Sequence, residues 1–176
     1  MMYCLLLLSL LILVAVFQVR WFYRRRRLAQ STWESLLSRV QPMNVAGLQA
    51  IYECYLQPDH EQLRIEPEEM WWIVGGLEGV ANLKANAEAM LDLAMYAERW
   101  NADEGRVISE MIRRDAVRLN RAVLRIQLGF LFQFGFSRAP FYLQEAASSY
   151  FLIRSRLLGL YHNSHIALVP HLVEAI

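Results

Sequence analysis

Four arginines pose the first chemical question. Arg114, Arg118, Arg121 and Arg125 are spaced by four, three and four residues. On an α-helix, at about 100° per residue, they fall in one narrow stripe. A guanidinium is a planar fork of donors suited to carboxylate or phosphate, so such a row is a surface for anions. Glu110 stands one turn before Arg114, in the favourable order for a helical ion pair. The counterpart is solvent, an acidic part of the same chain, or an external anion: a lipid headgroup, a nucleic acid or an acidic protein. The chain itself offers the second. Glu53 to Glu110 holds 13 acidic and 4 basic residues, whereas Met111 to Arg156 holds 2 acidic and 8 basic. The formal net charge of +1 is therefore the average of a polarised chain, and the stripe is read as internally neutralised or solvated ahead of externally bound.

The other constellations carry less. Gly75-Gly76-Leu77-Glu78-Gly79 looks like a phosphate loop, but the dinucleotide fingerprint needs a glycine where Val74 stands, and no βαβ pattern surrounds it. Gly75 and Gly79 are instead expected one turn apart on a helix, where they let a neighbour approach closely. His162, His165 and His171 cluster with Glu174; a third ligand and the partners that orient it are not legible, and no metal is assigned. Cys54 in Tyr-Glu-Cys-Tyr and the pair Ser148-Ser149 match no nucleophile signature. Cys4 and Cys54 have no metal-binding spacing, and a disulfide is not expected in a cytoplasmic domain. No catalytic residue and no cofactor are assigned, and an enzyme is disfavoured.

The elements that must position these residues are helices. Ser31 with Glu34 reads as a capping box, followed by Trp33, Leu36, Leu37 and Val40 up to Pro42. Asn44 caps a second helix with the stripe Leu48, Ile51, Tyr52 and Tyr55. Pro67 with Glu68 and Glu69 begins a third, which continues, with or without a break at the glycines, through Leu83, Ala87, Met90, Leu91, Ala94 and Met95. A long helix from about Asp103 to about Phe134 counts Val107, Met111, Ala122 and Ile126 among its apolar positions. Phenylalanines at 130, 132, 134 and 136 alternate and cannot share one helical face. From Pro140 to about Tyr161 the stripe is Leu143, Ala147, Tyr150, Leu157 and Tyr161, and a last short piece is interrupted or kinked at Pro170.

The N-terminus is of another kind. Met1 to Val19 carries no charge, Trp21, Phe22 and Tyr23 follow, and Arg20 with Arg24, Arg25, Arg26 and Arg27 flanks them. An apolar run near the lower limit for spanning, interfacial rings and then arginines read as a transmembrane helix with its C-terminal side in the cytoplasm. A positive stretch before the run and a small-residue cleavage site after it are both missing, which argues against a signal peptide.

The sequence thus predicts an all-α protein: a transmembrane signal-anchor over 1–23, a polybasic linker over 24–30, and over 31–176 a cytoplasmic domain, an irregular orthogonal bundle of about five to seven helices. The predicted membrane-interface residues are Arg20, Trp21, Phe22, Tyr23 and Arg24 to Arg27, which would meet anionic headgroups. The function expected is a membrane-anchored interaction or scaffold module, an accessory subunit of a membrane complex with a protein partner. The alternatives are a membrane-bound enzyme with a site assembled from scattered residues, or a regulator that grips an acidic partner through the arginine stripe. Nucleic acid is disfavoured as a partner, and the sequence does not set the oligomeric state.

Overall fold

In the computed structural model the described residues are 18, 30–56, 65–100, 102–131 and 139–176. The chain divides into two compact units, Met1–Thr32 and Trp33–Ile176. Apart from residue 18, the predicted anchor lies outside the described residues, with the interface residues Arg20, Trp21, Phe22 and Tyr23 and with Arg24 to Arg27, as do Phe132, Phe134 and Phe136. Among the described residues no helix is long and apolar enough to cross a membrane.

The second unit is all-helical over its described residues. Its helices are α1 (Trp33–Leu37), α2 (Val45–Leu56), α3 (Pro67–Val74), α4 (Gly76–Ala97), α5 (Ala102–Leu131), α6 (Ala139–Ser164) and α7 (Val169–Ala175), with a 3-10 turn at Ile166–Leu168. α5 and α6 pair antiparallel. Asn163 donates to Glu104 at 2.9 Å near one end, Arg156 meets Asp115 in the middle, and Arg125 lies 3.8 Å from Glu145 towards the other end. α5 buries Ile112, Ala116, Leu119, Val123 and Ile126, and α6 buries Leu143, Ala147, Tyr150, Ile153 and Leu157. Steps of three and four on both helices make the continuous seam that close helix packing requires. α6 also packs on α2, α3, α4 and α7, and so occupies the middle of the bundle.

Local chemistry explains most boundaries. Asn44 accepts the Gly47 N–H on its side-chain oxygen at 3.0 Å and caps α2. Pro67 takes the first turn of α3, where its missing N–H costs nothing. Two departures from the sequence reading have physical causes. α1 stops at Leu37 well before Pro42, because the next backbone segment is held by α4: Asn86 accepts the Gln41 N–H at 2.7 Å and donates to the Gln41 carbonyl at 2.8 Å. At the other end, Pro170 starts α7 in its first turn rather than kinking it.

Asn86 is fully buried, and so is Asp92 two turns along α4, where it accepts from Arg39 Nη1 at 2.8 Å. Tyr161 is buried with its hydroxyl donating to the Leu93 carbonyl at 3.1 Å, and burial raises its pKa well above the usual phenol value of 10.0. Burial likewise raises that of Tyr150. The Ile176 carbonyl accepts from Arg154 Nε at 3.0 Å and from the Tyr150 hydroxyl at 3.4 Å, which fastens the segment after α7 onto α6.

Candidate partner surfaces

The core of α5 runs along the face of Ile112, Leu119 and Ile126. At about 100° per residue, Arg114, Arg118, Arg121 and Arg125 centre roughly 130° from that face and point outward. All four are exposed. Their acidic neighbours are local. Arg114 Nε lies 3.7 Å from Glu110, Arg118 Nη1 3.9 Å from the buried Asp115, and Arg125 Nη1 3.8 Å from Glu145 of α6. Among the described residues none of the four pairs with an acid of α2, α3 or α4; of the acidic stretch Glu53 to Glu110 only Glu110, on α5 itself, meets the row, and the other acidic neighbours are Asp115 of α5 and Glu145 of α6. Arg156 of α6, less exposed than the four, is the arginine that closes on Asp115, and it also donates to the Met111 carbonyl at 3.4 Å.

Beside the arginine row lies an apolar one that the sequence reading missed. Val117, Leu124, Leu128 and Leu131 are all exposed, Leu131 to 73%. Their spacing of seven, four and three keeps them within about 60° of one another, next to the arginines. Val107 and Met111, counted among the apolar positions of the long helix, are also exposed. α5 carries apolar residues on two faces, and spacing alone does not say which one is covered. From Ala116 to Leu131 the helix has no acidic residue. Phe141, at the start of α6, is exposed as well. Phe130 turns away from this row and stacks on Trp71 of α3, with ring centroids 4.7 Å apart.

A second surface surrounds the glycines. Gly75 has φ 87° and ψ 29°, and Gly76 has φ 64°. The left-handed backbone ends α3 and starts α4, so Gly75 is a cap between two helices and not part of a helical packing stripe. Gly79 does permit a close approach, but of the preceding chain: a Cβ there would run into the Val74 carbonyl. The turn floors an open cleft of about 370 Å³ lined by Pro42, Met43, Asn44, Trp72, Glu78 and Asn82, among others. Trp72 stands at this cleft with 80% of its surface exposed.

The histidines do not converge. His165 packs its ring 4.2 Å from that of Trp100, and His171 sits edge-on to Trp33 at 6.4 Å. Among the described residues no three of His, Cys, Asp and Glu are placed to hold a metal ion. Ser149 is buried on α6. The chain matches no family model, no curated protein and no solved structure in comparison with known proteins, so a functional reading must rest on these surfaces.

Proposed function

We propose that this protein is a membrane-tethered helical interaction module, an accessory or scaffold subunit of a membrane complex. The uncharged run Met1 to Val19 serves as its anchor, and the arginines at 20 and 24–27 keep the helical domain on the cytoplasmic side. The observation that carries the interaction reading is Trp72. An indole left 80% exposed forgoes roughly 2 kcal/mol of burial, and tryptophan is the side chain most enriched at the energetic centres of protein interfaces. Its position beside the Gly75 turn and the Glu78 carboxylate in the same cleft fit a partner segment with an apolar side chain beside a basic one. By contrast, four of the domain's buried polar groups, Asn86, Asp92, Asp115 and Tyr161, are engaged with neighbouring helices and segments of the same fold.

A photo-crosslinking residue in place of Trp72, in the full chain at native levels in intact cells, tests this. One discrete protein adduct, lost when Glu78 is changed to Lys, is the expected result. A ladder of unrelated adducts, or none, counts against a partner at this cleft. A reporter active only in the cytoplasm, joined after Ile176 through a flexible linker, should be active; an active exported reporter there overturns the orientation.

A further inference from the structure

We infer that the outward face of α5, over its last four turns, lies on the anionic surface of a bilayer. Arg118, Arg121 and Arg125 form one row, and Leu124, Leu128 and Leu131 form the next, roughly 80° around the helix. All six are exposed. A plane of phosphates above hydrocarbon is the partner that uses both rows at once: leucines enter the acyl boundary while guanidinium groups at their side reach the headgroup oxygens. A nucleic acid would use the arginines and leave the leucines in water. A second copy meeting this face symmetrically would set three arginines against three more, because α5 has no acid between Ala116 and Leu131. Among the described residues the one carboxylate paired to the row from another helix is Glu145, 3.8 Å from Arg125, which leaves the face net positive. The inference rests on the membrane-tethered reading and adds to it a docked orientation for the domain.

The test uses the full chain with Cys4→Ala and Cys54→Ala, reconstituted in vesicles of phosphatidylcholine with or without phosphatidylglycerol. A fluorescent label is placed at Leu128→Cys, and at Lys84→Cys on α4 as an exposed reference. With phosphatidylglycerol present, a quencher carried on the lipid tails should dim the Leu128 label several-fold more than the reference. That excess should vanish in phosphatidylcholine alone, and also with Arg118→Gln, Arg121→Gln and Arg125→Gln together. Quenching at Leu128 by aqueous iodide but not by the lipid quencher overturns the inference while leaving the tether intact. Shielding from both quenchers together with chain-to-chain crosslinks overturns it in favour of a second copy. Lipid quenching that ignores the three substitutions overturns the part played by the arginines. If the chain does not float with the vesicles at all, it is the tethered reading that fails.

Discussion

On α4 the buried surface takes up polar residues as well as apolar ones: Asn86 and Asp92 lie among Leu83, Ala87, Met90 and Leu93. Each reaches the segment between α1 and α2, through Gln41 and Arg39 respectively. α5 buries as few polar residues but differs in what it turns outward. Its inward face is apolar apart from Ser109 and Asp115, while most of its other charged residues and nearly half of its apolar ones point away from the bundle. The contrast separates two uses of polarity. A buried amide with both its hydrogen bonds made to a distant backbone specifies which segments meet. The exposed guanidinium row of α5 reaches another helix, among the described residues, only through Arg125, which meets Glu145 and Tyr142 of α6.

Several perturbations would break or sharpen this contrast, and alkali is the most drastic. In the unfolded chain Tyr150 and Tyr161 ionise near the ordinary value of 10.0, whereas in the fold burial holds both higher. Their stabilising contribution is therefore complete below about pH 10 and declines as the pH climbs towards the folded values. Circular dichroism should show cooperative unfolding above pH 10, with its midpoint moved upward in Tyr161→Phe. Loss of signal at the same pH in that variant would remove Tyr161 from the account.

Next comes Gly79→Leu, which drives a side chain against the Val74 carbonyl, a backbone atom that cannot rotate aside. It should cost about 3 kcal/mol in a denaturant titration, the upper end of overpacking. An unchanged midpoint would mean that the α3–α4 turn is free to open. Asn86→Ala removes two bonds to Gln41 and should cost about 2 kcal/mol. Asp92→Asn should cost less, about 1 kcal/mol, because Arg39 is half exposed and its charge is screened. At the small end, Arg118→Glu with Arg121→Glu should leave stability within about 0.5 kcal/mol of the parent chain. A larger fall there would place the α5 row with the polar contacts that hold α4, and the contrast would collapse.

Much of this architecture was legible, for reasons visible in particular residues. α6 could be traced because Leu143, Ala147, Tyr150, Leu157 and Tyr161 keep one phase, and all five are buried. α2 and α3 were fixed at their starts by Asn44 and Pro67, whose effects are local. Asn86, Asp92 and Asp115 were not picked out, although each falls in the phase of its helix's core. Their partners Gln41, Arg39 and Arg156 lie 41 to 53 residues away, and local pattern carries no such information. The apolar row of α5 was missed for the opposite reason: its residues have a helical period of their own and compete with the core for the same spacing. The break at Gly75 depends on a left-handed backbone that glycine permits but does not compel.

The central place of α6 has a consequence for the order of folding. Tyr52 on α2 stacks on Phe151 with ring centroids 5.4 Å apart, and the Leu93 carbonyl waits for the Tyr161 hydroxyl, 68 positions further on. During synthesis, α2, α4 and α5 can coil individually, since helical turns need only nearby residues, and α4 can pair with α5, but the surfaces that pack on α6 have no cover until residues 139–164 have emerged. Nearly the whole domain must therefore be made before its interior can close completely. The nascent chain passes through a long stage in which Leu48, Ile51, Leu83, Met90 and Leu119 are open to chaperones. Fragments that end before α6 should be held by such factors or degraded rather than accumulate as smaller folded units.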